Sequence, residues 1–135
     1  MAGLSYGGFF STATAACDKR IRSAYASCCL FDKLSLAWVS IQGVDINIMD
    51  MSWRDSGNMF RDSDVAGLVA PRAICFDAGN SDELFGSASA VEEFKRIKAY
   101  FTAQGAADKT WLKTFDGVHE TDKEDDCIDF LFNHL

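Results

Sequence analysis

Three residues of this chain carry the types that acyl-transfer chemistry needs: Ser5, Asp82 and His119. A serine hydroxyl attacks a carbonyl only when a base takes its proton. An imidazole does this near neutral pH, and a carboxylate orients the imidazole. Ser5 stands in Gly3-Leu4-Ser5-Tyr6-Gly7, a G-x-S-x-G pattern that signals a sharp strand-to-helix turn with the hydroxyl pushed outward. Both flanking glycines are expected to be required, because a side chain at either would collide with nearby backbone. The backbone N–H of Tyr6 is the expected donor to a developing oxyanion. Asp82 is preferred to Asp77 as the acid, since Asp77 falls inside an apolar run that reads as a strand. His119 is preferred to His134, which falls in the last turn of a helical pattern, where histidine commonly caps.

The elements that must position these residues alternate. After Ser5, the recurrence of Phe9, Phe10, Ala13, Ala16 and Cys17 predicts a helix ending near Lys19 and Arg20, with that stripe on one face. Residues 21–30 read as a buried strand of a parallel sheet. Residues 31–71 are dense in apolar side chains but follow no single period. They read as a cap or pocket-lining excursion, in which Trp38 and Trp53 are candidate pocket residues, and the segment closes with a short helix over 64–70 that stops before Pro71. A second buried strand is expected over 73–78, followed by the turn-forming loop Gly79-Asn80-Ser81-Asp82. A helix is then expected with a Ser89/Glu92 capping box, a Phe94, Ile97 and Phe101 face, and a stop at Gly105. A third strand covers 110–115, His119 follows it, and a Thr121/Glu124 capping box opens a terminal helix with Cys127, Ile128, Leu131 and Leu135 inward. In such a right-handed α/β chain, residues just after successive strands gather on one sheet edge, where these folds bind ligands. Ser5, Asp82 and His119 all fall there, in that chain order, with separations of 77 and 37 residues that leave room for the elements between them.

Composition narrows the alternatives. The 135 residues, 48% hydrophobic with 11 Phe and 3 Trp, supply one core and one domain over 1–135. The net charge of -7 and the lack of a basic stripe argue against nucleic acid as a partner. No apolar run reaches bilayer-spanning length, so no membrane partner is expected. Cys17, Cys28, Cys29, Cys75 and Cys127 show neither a C-x-x-C pair nor a zinc spacing, and buried free thiols are the expectation. That favours a reducing, cytoplasmic setting, with no signal peptide at residues 9–17. The acidic run from Asp122 to Asp126 is read as a solvated helix start. No metal and no cofactor is assigned.

Four stretches together resemble the C-terminal part of an α/β-hydrolase of the acetyl xylan esterase and dienelactone hydrolase-like kind. They are Gly3-Leu4-Ser5-Tyr6-Gly7-Gly8, the segment from Asp64 to Arg72, Gly79-Asn80-Ser81-Asp82-Glu83-Leu84-Phe85, and Asp116-Gly117-Val118-His119-Glu120. The resemblance implies a partial three-layer fold of parallel strands with helices on both faces. It also implies hydrolysis of short-chain carboxylic esters, such as acetylated carbohydrates, through an acyl-enzyme on Ser5. A peptidase of the same fold, or a non-catalytic fragment completed by a partner segment, stays open. A complete member has strands before the elbow, including the strand that ends at the serine, and a second oxyanion-hole donor. These are expected to be missing here, at a cost on the order of 10² to 10³ in rate for the lost donor. The strand at 21–30 is then expected to be a bare sheet edge that promotes self-association.

Overall fold

The computed structural model describes residues 1–32 and 59–135, and the backbone of 38–41 and 44–47. Its elements are β1 (Ala2–Leu4), α1 (Tyr6–Cys17), β2 (Ser23–Ser27), β3 (Trp38–Ile41), β4 (Val44–Asn47), α2 (Asp62–Gly67), β5 (Ala73–Gly79), α3 (Ser87–Ala103), a 3₁₀ turn (Ala107–Lys109), β6 (Thr110–Phe115) and α4 (Asp126–Asn133). Strands β1, β2, β5 and β6 form one all-parallel sheet in that order. β3 and β4 form a separate antiparallel hairpin.

Every residue of β2 and β5 is buried, as expected of parallel strands covered on both faces. Side-chain alternation divides them between two cores. Ala24, Ala26, Ile74 and Phe76 face α1, α2 and α3, where Ala15, Ala66, Ile97 and Phe101 complete one cluster. Tyr25 and Cys75 face the other way, against Cys127 and Leu131 of α4, with Trp111 beside them. Burying an aromatic such as Phe76 or Phe101 contributes about 1.5–3 kcal/mol. No helix among the described residues is long and apolar enough to cross a membrane.

Several sequence expectations need correction. Residues 2–4 do form the strand that ends at the serine, paired in register Ala2↔Tyr25 to Leu4↔Ser27, so among the described residues the outer edge is β1 and β2 is internal. β2 is also shorter than 21–30, because Cys28 takes φ 42, a left-handed conformation that ends the strand. α1 turns only part of the expected stripe inward: Ala13 is buried and Ala16 packs against the core, but Phe10 is 45% exposed, Cys17 is exposed, and Gly8, Ser11, Thr12 and Ala15 are buried instead. The helix lies so close to β1 and β2 that only small side chains fit between. The hydroxyls of Ser11 and Thr12 donate to the carbonyls of Gly7 and Gly8, which removes the cost of burying them.

Neither expected capping box forms. α3 begins at Ser87 behind Gly86, and Ser89 Oγ instead accepts the N–H of Asp32 at 2.8 Å. α4 begins only at Asp126, because Lys113 draws Asp122, Glu124 and Asp126 around its ammonium and holds 122–125 out of helical form. Leu135 is accordingly exposed. Four of the five cysteines are buried free thiols, and Cys17 is the exception. Trp53, and the side chain of Trp38, lie outside the described residues.

Candidate functional site

Ser5 caps β1 and precedes the first turn of α1 with φ 56 and ψ −120, a strained conformation for a residue with a side chain. Its N–H donates to Ser27 O at 2.8 Å, and its carbonyl accepts from Phe9 N at 3.0 Å, so the strain is fixed from both sides. The glycine requirement proves one-sided. A Cβ on Gly3 would fall 2.3 Å from the carbonyl carbon of Gly7, where α1 crosses β1, whereas a Cβ on Gly7 meets nothing within 4 Å among the described residues. Tyr6 opens the helix, so its N–H is one of those that no helical carbonyl satisfies.

The loop after β5 brings up the carboxylate. Asp82 Oδ1 accepts the backbone N–H groups of Leu84 at 2.8 Å and Phe85 at 3.3 Å, which leaves Oδ2 to face His119 Nδ1 at 2.9 Å. A carboxylate only accepts, so this bond calls for a proton on Nδ1, and in the neutral ring Nε2 is then the acceptor. The histidine loop is seated by close backbone approach: a Cβ on Gly79 would fall 2.3 Å from Val118 O. Asp82 is buried and His119 is partly exposed, so the pair is oriented from inside and open toward solvent.

The structure therefore joins Asp82 to His119 and sets Ser5 on the same edge. Ser5 is tied through its N–H to Ser27, next to Cys28, whose Sγ approaches the Asp82–His119 pair. Among the described residues no hydrogen bond joins Ser5 Oγ to His119. Such bonds commonly tighten only when substrate is present.

The two rival residues do other work. His134 Nδ1 bonds the carbonyl of Phe130 at 2.8 Å, in the capping role expected of it. Asp77 is fully buried. Its Oδ2 accepts Tyr25 O–H at 2.5 Å and Asp122 N–H at 3.0 Å, and its Oδ1 accepts Cys28 N–H at 3.3 Å. Burial, with the Asp77 carboxylate beside it, pushes the Tyr25 hydroxyl well above the ordinary tyrosine range.

Sequence reasoning missed three neighbours of the site. Phe85 lies with its ring centroid 5.5 Å from that of His119, and Phe31 stacks on Phe85 at 4.5 Å, so an aromatic wall borders the imidazole. The third is Cys28. Its thiol is raised to about 11, first by burial and also by the negative charges of Asp77 and Asp82, against which the backbone N–H of Gly79 works. Cys28 falls inside the run that reads as a strand over 21–30, so its place after β2 is visible only once that strand ends at Ser27. Phe31 and Phe85 offered no signal.

No protein-family model matches the chain, and no characterised protein matches it in sequence. Solved structures do match its fold. A family 15 carbohydrate esterase, a glucuronoyl esterase from Caldicellulosiruptor kristjansonii, superposes with a TM-score of 0.73 at 18% identity, over 99% of this chain and 42% of that one. A methylesterase gives 0.70 at 16% identity, over 98% and 28%. An α/β hydrolase from Penicillium sp. sh18 gives 0.61 at 17% identity, over 98% and 62%. This chain thus spans between 28% and 62% of the length of those structures. Identities this low speak for fold: the chain carries part of the α/β-hydrolase fold.

Proposed function

We propose that the chain carries the nucleophile, acid and histidine of a serine hydrolase acting on carboxylic esters. The observation that supports this most is the Asp82–His119 hydrogen bond at the same sheet edge as a serine held at φ 56. In this reading His119 Nε2 takes the proton of Ser5 Oγ as that oxygen attacks the ester carbonyl. Asp82 holds the imidazolium, and Tyr6 N–H donates to the oxyanion. Collapse returns the proton to the leaving alkoxide and leaves Ser5 acylated. Water, deprotonated by the same imidazole, then releases the carboxylic acid and restores the hydroxyl. Neither a cofactor nor a metal takes part in these steps.

A short acyl group, with acetylated carbohydrate as the ester class, is the narrower proposal. It fits the family resemblance and the aromatic wall of Phe31 and Phe85 beside His119. p-Nitrophenyl acetate should be cleaved faster than the octanoate ester, and a rate that rises with chain length rejects the short-acyl pocket. The test of the triad is fluorophosphonate labelling, because only a base-activated hydroxyl attacks phosphorus quickly. Labelling should occur at Ser5 alone and vanish in Ser5→Ala. Labelling that persists there would overturn the assignment.

One observation favours a second reading, in which the unit works after joining further strands. The outer edge of β1 pairs with no strand among the described residues, and Met1, Tyr6 and Phe10 are exposed nearby. Self-association at micromolar concentration is expected from such an edge. A monodisperse monomer in sedimentation velocity, active on esters, would reject it.

A further inference from the structure

The mechanism makes no use of Cys28, yet its thiol is aimed at the catalytic pair. One ligand atom each from Cys28, Asp82 and His119 lie within 4.8 Å of one another, and no other His, Cys, Asp or Glu group among the described residues converges in this way. The three come from three different loops at the sheet edge: after β2, after β5 and after β6. Cys28 is held there by its φ of 42 and by two hydrogen bonds from its N–H, to Asp77 O and Asp77 Oδ1. Its Sγ now donates to Glu120 O at 3.1 Å and takes a backbone N–H of Gly79, weak bonds that leave the sulfur a lone pair for a further partner.

We propose that Cys28, Asp82 and His119 form a site for a borderline-soft divalent cation of the Zn²⁺ class, and that its occupancy switches off the imidazole as a base. The second half rests on the hydrolase reading above. The first half does not. One thiolate, one imidazole and one carboxylate match the mixed S, N and O donors that Zn²⁺ accepts in tetrahedral sites. Mg²⁺ and Ca²⁺ require more oxygen donors than this cluster offers. Around a tetrahedral Zn²⁺ the ligand atoms stand roughly 3.4–3.8 Å apart. The Asp82–His119 pair at 2.9 Å needs to open by a few tenths of an ångström, and the Cys28 sulfur, within 4.8 Å of both, to draw in by about 1 Å or less. The fourth position falls to water, and the partly exposed side of His119 supplies an entry path.

Binding balances in protons. Cys28 S–H releases one proton to solvent. The imidazole proton moves from Nδ1 to Nε2, so that the Nδ1 lone pair faces the metal. An Nε2–H imidazole has no lone pair left for the proton of Ser5.

Co²⁺ is the spectroscopic probe, used on the full chain with Cys17→Ser to remove the exposed thiol. A saturable thiolate-to-cobalt charge-transfer absorption at one Co²⁺ per chain is expected, with Zn²⁺ displacing it. Cys28→Ser should abolish that band. His119→Gln, the second variant in case the first fails to fold, should weaken binding about tenfold or more. No thiolate band in the folded parent, or a band that survives Cys28→Ser, overturns the site. Fluorophosphonate labelling run in parallel should slow at least tenfold with Zn²⁺ and recover with EDTA. A cobalt band with labelling indifferent to Zn²⁺ overturns the switch. Absence of labelling with or without metal sinks the hydrolase reading instead, and the cobalt spectrum then decides the site by itself.

Discussion

The inner end of β5 and the loop that follows it each carry a carboxylate, and the fold puts the two to different use. Asp77 is fully enclosed and satisfied by three donors from three segments: Tyr25 of β2, the backbone of Cys28 and the backbone of Asp122. Asp82 is satisfied on one oxygen by its own loop and turns the other toward His119. The first fastens the ends of β2 and of the histidine loop to the sheet. The second acts on one side chain that faces solvent. A carboxylate surrounded by fixed donors has no freedom to follow a change of charge, whereas one with a single outward partner can hold an imidazole through protonation. Burial alone does not separate the two, since both are buried. The identity of their partners does.

The largest expected effect breaks this comparison on the side of Asp82. Asp82→Asn should lower the rate of fluorophosphonate labelling on the order of 10⁴, the scale seen when a triad acid is neutralised. An Asn oxygen can still accept the Leu84 and Phe85 N–H groups, so only the His119 partner is lost and stability in urea should fall by about 1–3 kcal/mol. If Asp77→Asn instead removed labelling while Asp82→Asn kept it, the roles assigned to the two acids would be reversed.

Phe101→Ala sets a scale for stability without touching either carboxylate. Phe101 lies at 0% exposure in the core on the α3 face, and its truncation should cost about 3–5 kcal/mol by urea denaturation. The fraction that remains folded should label at the parent's rate. A slower rate in that fraction would show that the site and this core are coupled.

Asp77→Ala should cost less, about 3 kcal/mol, because it leaves the Tyr25 hydroxyl and two backbone N–H groups without their acceptor. A loss below about 1 kcal/mol would mean that water replaces the carboxylate and that Asp77 fastens nothing.

Tyr25→Phe tests one strand of that fastening and should cost about 1.5 kcal/mol at neutral pH. Burial and Asp77 raise the folded-state pKa of Tyr25 above its unfolded value near 10. The contribution of its hydroxyl is therefore fully present below about pH 10 and falls as pH rises above that value. The stability gap between parent and Tyr25→Phe should shrink in urea titrations above pH 10. A gap that grew there would contradict the raised pKa.

Much of the fold was legible in the chain because it rests on local pattern. The runs at 73–78 and 110–115 became β5 and β6 within a residue, and the 64–70 helix appeared over 62–67 with its turn reaching Pro71. The hairpin of β3 and β4 was not legible. Trp38–Ile41 and Val44–Asn47 lie in a stretch of mixed spacing, where pairing between neighbouring strands outweighs period. Glu93 escaped for a similar reason: a glutamate within a helix reads as exposed, yet this one is fully buried, with Ser63 N–H and the Arg96 guanidinium on its carboxylate. The two capping boxes failed because partners distant in sequence, Asp32 N–H for Ser89 and the Lys113 ammonium for Glu124, compete with local bonds.

What the sequence by itself determined was a set: a serine in an elbow pattern, an acid and a histidine after later strands, and the parallel order that sends all three to one edge. Strand spacing and loop position are local properties, so residue order carries them. Which carboxylate meets the histidine was decided only in three dimensions, by the Asx turn that aims Asp82 outward while Tyr25, Cys28 and Asp122 close around Asp77. The arrival of a thiol beside the pair was decided there too. Cys28 stands far from Asp82 and His119 in the chain, and only the parallel packing of β2, β5 and β6 brings the three loops to one place.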